Sequence, residues 1–156
     1  MNPHEQTINR FYESFRSLDA EGKCACYHPD IVFSDPVFGV LSGKEAMGMW
    51  RMLCARAKEL KISFSGVKAE GANGSAHWEA HYIFSQTGRS VHNAIDASFT
   101  FQDDKIVRHV DRFNLWKWTR MALGPAGVLL GWTPVVRVKV RKEARRGLEA
   151  FLKERR

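Results

Sequence analysis

Nowhere in this chain does an apolar run approach the ~20 residues that a membrane-spanning helix needs. The opening stretch, "MNPHEQTINRF", has no cationic patch followed by an apolar core, so no secretory signal is expected. Cysteine is scarce. Cys24, Cys26 and Cys54 make an odd set, and Cys24-Ala25-Cys26 lacks the two-residue spacer of a redox or zinc motif. Buried or half-buried thiols in a reducing cytoplasm are therefore expected, with no metal and no cofactor. Repeats and low-complexity tracts are also missing. What remains is one ordinary globular domain of 156 residues.

A basic face on the body is absent as well. The net charge is +7, but residues 137–156 hold nine Lys/Arg against three Glu. The rest is nearly neutral, so a nucleic-acid module is not expected. The basicity is one local feature.

The periodicity of the N-terminal half is helical. Ile8, Phe11, Tyr12, Phe15 and Leu18 fall on one face of a helix predicted over residues 4–20, and a short helix near 20–27 carries two cysteines. "HPDIVFSDP" reads as a strand bracketed by Pro29 and Pro36. Ser42 followed three residues later by Glu45 forms a capping-box pattern, opening a helix predicted to end near Leu60. Four strands follow as a meander: "KISFSGVKAEG", "AHWEAHYIFSQTG", "SVHNAIDASFTFQDD" and "IVRHVDRFNLWKW". The expected turns are at Asn73-Gly74, Thr87-Gly88 and residues 102–105. Helices first and consecutive strands after them is an α+β pattern.

Particular residues carry a family likeness. "FSDPVFGVLSGKEAM" resembles the ketosteroid isomerase segment in which an acid before Pro-Val is the general base. "FQDDKIVRHVDRFNLW" is similar to the terminal hairpin of the limonene epoxide hydrolases, where an acid five residues after the hairpin isoleucine activates water; here that position is Asp111. Residues 4–118 thus resemble the nuclear-transport-factor-2-like superfamily, which includes the SnoaL-type polyketide cyclases. The resemblance implies a cone-shaped, curved antiparallel sheet packed on N-terminal helices, a small hydrophobic ligand and a homodimer. It also locates departures. Phe11 stands where the isomerases have a tyrosine, and Tyr12 lies about 100° round the helix. Ala97 takes the inward slot of the second isomerase acid and turns Asp96 outward. "HWEAH" lacks the Arg-x-Asp pair of the epoxide hydrolases.

Two acids are the candidate catalysts. Asp35 is either a base made stronger by apolar surroundings or a turn acid capping a neighbouring N–H before Pro36. Asp111 sits mid-strand, where acids are depleted, and is either an outward acid, paired with Arg108 or Arg112, or a pocket acid sharing a face with His109 and Phe113. If the family register holds, that face points into the cone, with His109 orienting a base or water. Tyr12, Trp50, Trp78, Asn93 and Phe113 are the expected ligand-binding residues. His77 and His81 do not make a metal pair, because four strand residues span about 13 Å.

Beyond residue 118, an apolar loop and a basic amphipathic helix form an extension over 119–156. It would strap the cone mouth or a subunit interface, lie on anionic lipid with Trp132 nearby, or meet an acidic partner. Three functions follow from the sequence: an isomerase, cyclase or hydrolase with acid–base chemistry on a small hydrophobic molecule, a non-catalytic binding module, or an interaction protein docking through its tail.

Overall fold

The structure is a computed structural model that describes residues 1–125 and 134–154. Helix α1 (Pro3–Arg16) begins with a reciprocal capping box, in which the Asn2 side chain accepts from the Glu5 backbone and the Glu5 side chain from that of Asn2. Ile8, Phe11, Tyr12 and Phe15 of the expected apolar face are buried, but the helix stops at Arg16 and Leu18, in a left-handed backbone (φ 58°), lies exposed beyond it. Asp19 then caps the five-residue α2 (Ala20–Cys24) by accepting from the Gly22 N–H.

Strand β1 (Tyr27–Asp35) turns back into β2 (Gly39–Ser42), which leads into α3 (Lys44–Ala55). Ser42 does not cap α3. It ends β2 opposite Val32, and Gly43, at φ 51°, gives its N–H to the Ile31 carbonyl and is itself the N-cap. The sheet ladder thus claims the residues that a capping box would have used. The helix also ends five residues before the expected Leu60.

The meander comprises β3 (Lys61–Glu70), β4 (Asn73–Phe84), β5 (Arg89–Gln102) and β6 (Lys105–Arg112). Its first turn falls at Gly71 and Ala72, not at Asn73-Gly74, which are already paired with Glu70 and Ala69. Gly74 serves packing instead: a Cβ there would lie 2.9 Å from the Ile8 side chain on α1. Asp103 and Asp104, both at positive φ, make the two-residue turn between β5 and β6.

The last strand is shorter than its periodicity suggested. Asn114 accepts from the Lys117 N–H and starts α4 (Leu115–Leu123), whose buried Leu115, Trp118, Thr119 and Ala122 follow the helical period. A cap and four helically spaced buried residues outweigh the apparent alternation of "RFNLWKW".

Six strands make one open sheet in the order β2-β1-β6-β5-β4-β3. Four neighbouring pairs are antiparallel. The β1–β6 pair is parallel, with Phe33 opposite His109 and Ser34 opposite Val110. One sheet face is buried against α1 and α3, and the other is largely exposed.

Helix α5 (Pro134–Glu154) buries Leu148 and Phe151. Leu152 fits against Gly48 of α3, where a Cβ would collide with it. Arg145 donates to the carbonyls of Phe38 and Val40, and Arg141 to that of Pro36, tying α5 to the β1–β2 turn. Trp132 lies outside the described residues.

Candidate functional site

Between the sheet, α3, α4 and α5 lies a cavity of about 570 Å³. Trp50, Trp78, Phe113 and Trp118 give it aromatic walls, and Val136, Val140 and Ala144 of α5 line its other side. Asp35, Asp111, Tyr82 and Asn93 are among the polar side chains that line it, together with the charged Arg56, Lys58, Lys139 and Glu143. An apolar enclosure with a few placed polar groups is the usual make-up of a small-molecule site.

The parallel pairing of β1 with β6 sets the two acids together. Residues 33 and 109 face inward at the same level, so Asp35 and Asp111, two residues on in each strand, follow on that face. Asp35 combines both roles open to it in the sequence. Its Oδ1 accepts the N–H groups of Val37 (3.0 Å) and Phe38 (2.6 Å), so it caps its own turn. It also lines the cavity. Burial pushes its pKa up to about 7; the Asp111 charge adds to the rise, while the two backbone bonds and Arg141 oppose it.

Asp111 is held from behind by a buried chain. The Trp50 indole N–H donates to the Tyr27 hydroxyl (2.9 Å), which lies 2.7 Å from His109 Nδ1, and His109 Nε2 lies 2.8 Å from Asp111 Oδ1. An indole N–H can only donate. The assignment that satisfies every partner has Tyr27 donating to Nδ1 and the Nε2–H donating to Asp111, which makes His109 a neutral imidazole. The Trp78 N–H also donates to Oδ1 (3.2 Å). Oδ2 takes no donor from the described residues, leaving one carboxylate oxygen for a ligand.

Of the expected site residues, Asp35, Asp111, Trp50, Trp78, Asn93 and Phe113 are brought to the cavity. His109 sits one layer behind, with none of its surface exposed. Tyr12 does not line the cavity: its face of α1 is packed into the core, its ring 5.3 Å from that of Phe64, and its buried hydroxyl has no partner among the described residues. Asp96 faces outward opposite Arg112.

Two residues lie outside the expected site set. Tyr82 shares the inward face of β4 with Trp78 and Ala80, a period-two signal that was there to find. Its hydroxyl accepts the Trp118 N–H (2.8 Å) and keeps its own proton for a ligand. Lys23 gave no signal. Its ammonium is fully buried without a hydrogen-bond partner among the described residues, 3.6 Å from the ring centre of Phe11, 3.9 Å from Trp50 and 4.0 Å from Phe15. Burial lowers its pKa to about 7 against the opposing pull of Asp111 and the nearby thiols. The three cysteines are free, and burial pushes the Cys24 thiol up to about 11, away from nucleophilic use.

Solved structures share this fold. TerC, co-crystallised with polyporic acid, is 19% identical at a TM-score of 0.66, with 77% of this chain and 98% of that one covered. A protein of ketosteroid isomerase-like fold from Catenulispora acidiphila DSM 44928, in complex with trimethylamine, is 12% identical at 0.67, covering 82% and 97%. An LEH-like epoxide hydrolase of M. tuberculosis is 15% identical at 0.63, covering 84% and 97%. At these identities the likeness is one of fold. No curated protein matches the chain significantly. The SnoaL-like domain family matches residues 8–109, from within α1 to within β6, and the chain belongs to that family.

Proposed function

We propose that the protein binds a small, largely apolar molecule in the aromatic-walled cavity and moves a proton on it, with Asp35 as the base. The observation that carries this reading is the convergence of Asp35 and Asp111 on one cavity, alongside Tyr82 and Asn93. A carboxyl that titrates near neutrality is suited to taking up and returning a proton at working pH. Asp111, fixed by His109 and Trp78, positions the reacting group. The Tyr82 hydroxyl and Asn93 amide are the donors that would stabilise negative charge developing on a substrate oxygen. An enolisable carbonyl compound fits this set, which places the chemistry with isomerases or cyclases. The polyporic acid and trimethylamine complexes support the reading only in that relatives of this fold hold small molecules.

The non-catalytic binding module uses the same cavity without the proton transfer. Docking through the tail is less well supported, because α5 turns Leu148, Phe151, Arg141 and Arg145 toward its own chain. The resemblance implies a homodimer, and light-scattering mass of the full chain tests it.

The test of proton transfer needs no identified substrate. A panel of enolisable cyclic ketones is incubated with the protein in D2O, and exchange at the α carbon is followed by NMR. Wild type should accelerate exchange for at least one member, and Asp35→Asn should abolish it. Exchange that survives in both Asp35→Asn and Asp111→Asn would sink the assignment. Saturable binding with no exchange would favour the binding module.

A further inference from the structure

The exposed face of the sheet carries a second cluster, on the opposite side from the cavity. His77, Glu79 and His81 alternate along β4 on that face, and the β4–β5 register sets His81 directly opposite His92. Along one strand, His77 and His81 are too far apart to share an ion. Across two strands the distance collapses: directly opposed residues have Cβ atoms about 4.5–5.5 Å apart. The His81 and His92 rings stack with their centres 3.8 Å apart.

We propose that Glu79, His81 and His92 form a binding site for a divalent first-row transition ion of the Zn²⁺, Ni²⁺ or Cu²⁺ kind. One ligand atom from each lies within 4.8 Å of the other two, and no other such cluster occurs among the described residues. Side-chain rotation of the half-buried Glu79 and the exposed His81 and His92 would bring these atoms to metal bonds of about 2.0–2.2 Å. Two imidazoles and one carboxylate are the donor set that borderline cations prefer to Ca²⁺ or Mg²⁺.

The surroundings already orient the carboxylate. Glu79 Oε2 is held by His77 Nε2 at 2.9 Å, and His77 Nδ1 is held in turn by Asp96 Oδ1 at 3.0 Å. That leaves Glu79 Oε1, which lies 2.6 Å from His92 Nε2. The ion would replace the hydrogen bond between those two atoms, with neutral His92 carrying its proton on Nδ1 and offering Nε2 to the metal. Three protein ligands leave a further position for water. His77 and Asp96 act as the outer partners that steer a ligand without touching the metal.

The full-length protein is titrated with ZnCl₂ and with CuSO₄ at pH 7.5 by calorimetry, and the Cu²⁺ complex is examined by electron paramagnetic resonance. One equivalent should bind. Affinity should fall at least tenfold in His81→Ala and in His92→Ala, and less in His77→Ala. The resonance should show coupling to two imidazole nitrogens, lost in the His81→Ala/His92→Ala double variant. Zn²⁺ should raise the melting temperature of wild type but not of that variant, since an ion bound to the folded state alone stabilises it. All three positions are on the sheet surface, and far-ultraviolet circular dichroism verifies that the variants fold. His92→Gln replaces any that does not. Equal affinity in wild type and double variant, including no binding by either, overturns the proposal, as does Cu²⁺ coupling that persists without the two histidines.

Discussion

Asp35 and Asp111 face one cavity from neighbouring parallel strands, each two residues beyond the paired Phe33 and His109. Their electrostatic coupling, added to burial, lifts Asp35 to about 7, from an ordinary value near 4 in the unfolded chain. The folded state therefore holds a proton that the unfolded state has already lost between about pH 4 and pH 7. Stability contributed at this site falls as pH rises through that window. Asp35→Asn should be more stable than wild type at pH 8, with the difference vanishing toward pH 4, as read from urea unfolding across pH. Catalysis by the ionised carboxylate should show the opposite trend, rising through about pH 7.

Lys23 has the reverse linkage. Its amine titrates near 7 when folded and near 10.5 when unfolded, so the unfolded chain binds the extra proton between those values. Stability should rise with pH from about 7 to 10.5 in wild type, and Lys23→Met should remove that rise. Replacing a buried ion by an apolar side chain of similar volume is often neutral or stabilising by about 1–4 kcal/mol. At pH 7 the variant should be at least as stable as wild type, and guanidinium unfolding that shows a large loss would mean the three rings hold the ammonium more tightly than its burial costs.

Tyr27→Phe deletes the centre of the chain that runs from Trp50 to Asp111. The Trp50 N–H and His109 Nδ1 would both lose their partner in the core. Each buried group left unsatisfied costs about 1–3 kcal/mol. Thermal and urea unfolding should show a loss in that range or above. A proton-transfer activity should fall further than stability does, because His109 would be free to change tautomer and turn away from Asp111.

Ala144 lies half-buried on α5 where that helix lines the cavity. Ala144→Trp should fill that side of the cavity and weaken a ligand found in the NMR screen at least tenfold, with the fold retained by circular dichroism. Unchanged affinity would place the ligand's entry elsewhere. Arg145→Ala should instead act on both measures, since it releases the carbonyls of Phe38 and Val40 and loosens the turn that Asp35 caps.

Local chemistry made much of this legible from residues alone. The spacing of Ile8, Phe11, Tyr12 and Phe15 buries one face of α1 whatever it packs against. The Asp103-Asp104 turn and the alternation of Asn93, Ile95, Ala97 and Phe99 fix which β5 residues look inward. Asp35 and Asp111 stood out because carboxylates among apolar strand residues need a reason. These signals act over a few residues, so they survive without knowledge of the fold.

Tertiary structure decided what depends on distant neighbours. Ser42 lost its capping role because β1 claimed it, and "RFNLWKW" became a helix once Asn114 capped it over a packed face. Parallel pairing of β1 with β6 placed two acids on one cavity, and the β4–β5 register laid His92 against His81. Lys23 is the extreme case. Nothing near it in the chain requires burial, and only the meeting of α1, α2 and α3 closes Phe11, Phe15 and Trp50 around its ammonium. Pattern determined which residues face inward; long-range pairing, which no local propensity encodes, determined which of them meet.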